Sequence, residues 1–171
     1  LKAIMDCLSP TSPVERIVFM KGAQLGAPLA LTTPIPTSSG WTTMGDLVPG
    51  DLVFAEDGRL CGVTGVSPVL LDRQCFEIAF EDGETIVCDA AHRWPVLEDS
   101  PAGVQPRTLT TAEMVGRERL TGPAGWRFSV VARPPGATGR PGEGEKRAIT
   151  AIRLVDSVPV RCIAVDSPSH L

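Results

Sequence analysis

The chain breaks off one motif at residue 27 and starts another. Val18 to Gly26 (VFMKGAQLG) reads as a buried strand running into a glycine-bracketed turn, with Lys21, Gly22 and Gly26 placed as in a loop that cradles phosphates. A helix should follow such a loop. Instead, Pro28 opens the run PLALTTPIPT, whose prolines and β-branched residues suit short strands and turns. The chain therefore reads as one protein interrupted in mid-motif by another, with the seam at Ala27–Pro28.

Residues 1–27 are too few to fold alone, and the full 171 residues fit one ordinary domain with a short appendage. A hydrophobic share of 43% is enough for a packed core. The net charge of -4 argues against the field of a nucleic-acid binder, so nucleic acid is not expected as a partner. No apolar run reaches the roughly 20 residues that span a bilayer, and no basic stretch leads an apolar one near Leu1. Neither membrane association nor a secretory leader is expected. Leu1 in place of an initiating Met suggests a fragment or a trimmed chain.

Five cysteines, Cys7, Cys61, Cys75, Cys88 and Cys162, are scattered through apolar settings with no CxxC pair. With only His92 and His170 beside them, neither a metal nor a cofactor is expected. Their odd number fits a reducing, cytoplasmic setting. Most of them read as packing residues, which leaves the question of which one reacts.

From Pro28 onward strands alternate with turns. Strands are expected near Pro34–Thr37, Leu52–Ala55, Leu60–Val66, Gln74–Phe80, Thr85–Cys88, Trp126–Ala132, Ile149–Val155 and Val160–Val165. Asp57-Gly58 and Asp82-Gly83 are hairpin signals. Trp41 to Leu47 reads as a short helical turn. Thr110 or Thr111 would cap a helix over Ala112–Arg119. Arg133 to Lys146 is Pro/Gly-rich and reads as a mobile loop. The pattern predicts an all-β fold with one or two short helices.

Three segments then carry a family resemblance. Pro28–Thr37 with Gly40–Phe54 (GWTTMGDLVPGDLVF) resembles the first splicing block of inteins. Gly83–Trp94 (GETIVCDAAHRW) is similar to the second block, which holds a catalytic histidine. Val160–His170 (VRCIAVDSPSH) resembles the penultimate block. The resemblance implies a Hint horseshoe of curved strands with pseudo-two-fold symmetry over 28–171, a monomer that acts on its own flanking exteins. The segment between Trp94 and Val160 is too short for a homing endonuclease, so a mini-intein is expected.

The chain departs from the usual intein pattern at three places. Pro28 occupies the first-residue position and has no side-chain nucleophile. Asp89 stands where a Thr is usual, and Cys162 where an Asp is frequent. A His, a nearby Trp and an internal Cys without a first-residue nucleophile resemble class 3 inteins. That resemblance implies that Cys162 attacks the Ala27 carbonyl to give a branched thioester. His92 would protonate the leaving Pro28 nitrogen, and Trp94 would pack beside Cys162. Asp89 would orient His92, bond the junction backbone, or simply cap its own turn. His170 resembles the histidine that assists asparagine cyclisation, although a terminal His-Asn and the residue after it are not present. On that reading the chain alone would cleave its upstream junction without completing splicing. Thr85, Asp51 and Asp46 read as fold-forming turn residues.

Residues 1–27 resemble the ATPase start of GpA-type phage terminase large subunits. The implied host is a phage or prophage packaging ATPase and nuclease in a bacterial cell, with Lys21, Gly22 and Gly26 binding ATP only after splicing. Two alternatives remain at this point: a terminase fragment carrying an inactive β-rich insert, and a secreted autoprocessing relative of the hedgehog or bacterial-toxin type.

Overall fold

The computed structural model describes residues 28–55, 58–100, 103–121, 127–132 and 144–167; Ala27, Lys21, Gly22, Gly26, Trp126, His170 and most of the 133–146 loop lie outside them. Thirteen strands and one helix occur among the described residues, arranged as two antiparallel sheets. The all-β expectation holds.

The larger sheet runs β12 (Val160–Arg161), β1 (Leu29–Ala30), β7 (Thr85–Asp89), β6 (Cys75–Phe80), β11 (Glu145–Val155), β10 (Arg127–Ala132), β8 (Arg93–Ser100) and β9 (Gly103–Thr110). The smaller runs β13 (Ile163–Val165), β5 (Leu60–Val66), β4 (Leu52–Phe54), β2 (Pro34–Thr37) and β3 (Gly40–Thr43). Each sheet has its own core. Phe76, Ile78 and Phe80 alternate inward from β6, as a period of two requires, and meet Trp94, Val96, Leu109, Met114 and Phe128. Met44, Leu47, Val53, Cys61 and Val63 form the smaller core. Leu29 packs against both.

The helix, α1 (Thr111–Thr121), is capped by Thr110. The Thr110 hydroxyl accepts the Glu113 N–H (3.2 Å), and the Glu113 carboxylate accepts the Thr110 N–H (2.7 Å), a reciprocal capping box. This frees the Thr111 side chain for the core.

Several sequence expectations are corrected. Trp41 to Leu47 is not a helical turn: Gly40–Thr43 is β3, paired with β2 through Ile35↔Thr42 and Pro36↔Trp41, and only the residues after it turn. Gly45 closes that turn because its N–H donates to the Leu31 carbonyl (2.8 Å), where an added Cβ would sit 3.1 Å from the same oxygen. β11 begins at Glu145, inside the expected loop, because β10 continues the ladder there through Ala132↔Glu145. β8 and β9 were not expected as strands. The Val160–Val165 strand is two strands in different sheets, with Cys162 between them. Asp46 and Asp51 do serve turns, accepting from the Thr43 hydroxyl (2.5 Å) and the Val48 N–H (2.8 Å).

Candidate functional site

Strand β1 is two residues long and lies between β7 and β12. Its register sets the site. Leu29 faces Arg161 on one side and Cys88 on the other, and Ala30 faces Val160. Next to these pairs, Pro28 precedes Leu29 and Cys162 follows Arg161. The Asp89 N–H donates to the Pro28 carbonyl at 3.1 Å. Pro28, Asp89 and Cys162 are all fully buried. The structure thus brings three widely separated sequence positions to one end of the paired strands β1, β7 and β12.

The β7 wall ends in a tight turn. The His92 N–H donates to the Asp89 carbonyl (3.1 Å), and Asp89 Oδ1 accepts the Ala91 N–H (2.8 Å). The other carboxylate oxygen, Oδ2, accepts from Arg73 Nε (3.0 Å) and Nη2 (2.8 Å). A buried carboxylate needs such partners, since burial without them costs several kcal/mol. Asp89 therefore caps its turn through its side chain and holds Pro28 through its backbone.

His92 projects from this turn and meets Trp94 edge-on, with ring centroids 4.6 Å apart. Trp94 also packs against Phe80, and its indole Nε1 donates to the Thr111 hydroxyl at 3.0 Å. The helix start reinforces the turn: the Thr111 and Ala112 N–H groups donate to the His92 and Ala90 carbonyls, both at 3.0 Å. These N–H groups have no partner within the helix, so the turn satisfies them. Thr111 also lies 3.3 Å from Cys88 Sγ. Burial pushes the Cys88 thiol up to about 12, so Cys88 is a packing thiol at neutral pH.

The β12 wall carries Cys162. Its N–H donates to the Ser67 hydroxyl (3.0 Å), and its carbonyl accepts the Ser67 N–H (2.9 Å). The Arg161 guanidinium donates to the Gly45 carbonyl (3.0 Å) and to the Leu47 carbonyl, tying the strand to the smaller core.

Sequence reasoning missed Arg73, Thr111 and Ser67, each joined to a named residue by hydrogen bonds across the fold. Only Thr111 had a sequence signal, as a candidate helix cap. Ala27, His170, Lys21, Gly22 and Gly26 lie outside the described residues. Among the described residues no group of three or more His, Cys, Asp or Glu side chains could hold a metal ion, and no helix is long and apolar enough to cross a membrane.

Comparison with known proteins adds the family. No family model matches. The chain is similar to the Msm DnaB1 intein splicing domain, whose crystal structure is bound with zinc: 38% identity, TM-score 0.58, covering 84% of this chain and 90% of that one. It is similar to the MchDnaB-1 intein (N145AA) at 39% identity and TM-score 0.57, covering 84% and 89%. The replicative DNA helicase DnaB of Mycobacterium leprae is 36% identical over 159 residues, which is 93% of this chain and 24% of that protein. The chain thus spans about a quarter of the length of that helicase. A DnaB intein from Synechocystis sp. PCC 6803, at 14% identity and TM-score 0.53, shares the fold. Sheet architecture and identity over nine-tenths of a solved splicing domain agree: the chain belongs to the intein family.

Proposed function

We propose that this intein acts on its own Ala27–Pro28 bond through Cys162, by the class 3 route. Pro28 and Cys162 adjoin the same Leu29↔Arg161 pair, and the Asp89 N–H holds the Pro28 carbonyl; this is the observation that carries the reading. The Cys162 thiolate adds to the Ala27 carbonyl carbon. The tetrahedral adduct collapses by breaking the bond to the Pro28 nitrogen. A thioester joins Ala27 to Cys162, and Pro28 becomes a free secondary amine.

Prolyl nitrogen carries no hydrogen and would leave as a poor amide anion unless protonated, so an acid is required. His92 is the acid of this proposal, since it stands on the same turn as Asp89. Asp89 holds the junction and the turn, and Trp94 sets the His92 ring and limits water beside Cys162. His170 would act later, assisting asparagine cyclisation downstream.

The host is the finer part of the proposal. Residues 1–27 fit the start of a terminase ATPase, with Lys21, Gly22 and Gly26 joining a working phosphate loop only after ligation. DnaB is the second reading of the host, because the 159-residue match to that helicase is longer than 28–171 and reaches upstream of Pro28. Peptide sequencing of the ligated host protein separates packaging-ATPase from helicase sequence.

Intact-mass spectrometry tests the chemistry. The 171-residue chain and the full gene product are incubated with and without dithiothreitol, beside Cys162→Ala and His92→Ala. Wild type is expected to shed residues 1–27 with the thiol, Cys162→Ala to shed none, and His92→Ala to be slowed about 10²–10⁴-fold. Cleavage that survives Cys162→Ala overturns the proposal, as does an uncut wild type in both forms.

A further inference from the structure

We infer that Ser67 is a positioning residue for Cys162, fixing the nucleophile's backbone where the chain passes from one sheet to the other. This inference rests on Cys162 being the nucleophile.

The two ladders around Cys162 have different partners. β13 pairs with β5 through Ile163↔Val66 and Ala164↔Gly65, so Ser67 continues that register opposite Cys162. In a hydrogen-bonded pair of a regular antiparallel ladder the two residues exchange both backbone hydrogen bonds. Here only one is a backbone bond: the Ser67 N–H donates to the Cys162 carbonyl at 2.9 Å. The Cys162 N–H goes to the Ser67 side chain, at 3.0 Å, rather than to the Ser67 carbonyl. The Ser67 hydroxyl donates its own hydrogen bond to the Pro68 carbonyl at 2.8 Å. Ser67 precedes a proline and is thereby biased to extended backbone. A side-chain acceptor replaces a ladder bond at the one residue where β12 ends and β13 begins.

Ser67 is also the first residue of a strap between the two walls of the site. Leu70 exchanges backbone bonds with Val160 at 2.7 and 3.0 Å. Arg73 then reaches Asp89, and the Gln74 carbonyl accepts the Ala90 N–H at 2.9 Å. Within eight residues the strap touches the Cys162 strand twice and the Asp89–Ala90 turn twice. Ser67 sets the Cys162 end, and it is 8% exposed, so solvent does not replace its hydroxyl.

The test compares Ser67→Thr with Ser67→Val, which have the same shape and differ in the hydroxyl, together with Ser67→Ala and Cys162→Ala. Single-turnover cleavage in excess dithiothreitol gives a rate constant and an amplitude. Loss of folded molecules lowers the amplitude, whereas a displaced nucleophile lowers the rate constant of molecules that remain folded. Ser67→Val and Ser67→Ala are expected to lower the rate constant about tenfold to a hundredfold with amplitude retained. Ser67→Thr is expected to restore it to within about threefold of wild type, because the acceptor remains. The Val and Thr chains keep the comparison where the alanine chain does not fold. A wild-type rate constant in Ser67→Val, or a loss confined to amplitude, overturns the inference and leaves the Cys162 reading standing. Cleavage unaffected by Cys162→Ala, or none in wild type, overturns that reading and this inference with it.

Discussion

The two cores of this intein do unequal jobs. The larger is aromatic, built on Phe76, Phe80, Trp94 and Phe128, and it carries the turn with Asp89 and His92. The smaller is aliphatic and sulfur-rich, built on Met44, Leu47, Val53 and Cys61, and it anchors the Cys162 strand through the Gly45 and Leu47 carbonyls bound by Arg161. Neither core contains the whole site. Leu29, the residue after Pro28, packs into both. The β7 turn that bears His92 and the end of β12, where Cys162 follows, lie on either side of a two-residue strand, β1.

The largest expected effects come from opening each core separately. Phe128→Ala should cost about 3–5 kcal/mol and Leu47→Ala about 2–5 kcal/mol. Against a typical total of about 5–15 kcal/mol, either is severe. Because Leu29 of β1 packs into both cores and the chain passes directly from β12 in one sheet to β13 in the other, both variants should unfold in one transition when followed by near-UV and far-UV circular dichroism in urea. Two separated transitions in either variant would show the cores to be independent and would break the comparison.

A smaller effect is expected where the larger core supports the chemistry. Thr111→Val keeps the shape and removes the hydroxyl that accepts the Trp94 indole N–H. A buried donor left without its acceptor costs about 1–3 kcal/mol. Since Trp94 meets His92 edge-on, the same variant should slow thiol-dependent cleavage of the folded chain more than Val53→Ala in the smaller core does. Chemical denaturation and cleavage kinetics on the two variants check both statements; equal slowing would remove the distinction between the halves.

The cores should also part at alkaline pH. Burial raises the Cys88 thiol from an ordinary value near 9.0 to about 12, with the neighbouring Asp89 charge adding to it and the Thr111 hydroxyl opposing it. The unfolded thiol ionises first, so above about pH 9 the unfolded chain holds fewer protons than the folded one. Stability from this group is complete below about pH 9 and is lost as pH rises toward about 12. From pH 9 to pH 10 the loss is at most about 1.4 kcal/mol. Urea titrations at the two pH values should show a shallower slope in Cys88→Ala than in wild type. An unchanged slope would assign the alkaline loss elsewhere.

Much of the fold was legible because alternation is a local signal. Leu60–Val66 was read with its observed bounds, and β6 and β7 to within a residue. β8 was missed because its inward series, Trp94, Val96 and Glu98, ends in a carboxylate that Arg107 and Arg117, from β9 and α1, make tolerable in the interior. β9 was missed because almost all of it is exposed and no face is marked. The Val160–Val165 run was read as one strand because its sequence says nothing of which ladder each half joins. The site shows the same division. Asp89, His92, Trp94 and Cys162 stand out in the sequence through the resemblance to intein blocks, and the structure gathers Asp89, His92 and Trp94 about one turn. Arg73 and Ser67 were not, because an arginine or serine in a loop carries no mark of the strand it will bond.

The smallest expected effect lies at the helix start, where sequence reading left two candidates. The Thr110 hydroxyl caps Glu113, and Thr111 turns inward to Trp94 and Cys88. Thr110→Ala should therefore cost about 1 kcal/mol, less than Thr111→Val, as an exposed cap does. The Glu113 carboxyl is held below its ordinary value first by the Thr110 N–H and then by the Thr110 hydroxyl. A depressed carboxyl contributes stability that is complete above its unfolded value, near 4.5, and is lost as pH falls through the lower folded one. The penalty of Thr110→Ala should thus be present at pH 7 and shrink as pH falls below about 4.5, because part of that carboxyl's stabilisation comes from the hydroxyl. Thermal melts of wild type and variant at the two pH values test this. A penalty that grows in acid would mean that the hydroxyl serves the helix without the carboxylate, and that the helix start is tied to the larger core only through Thr111.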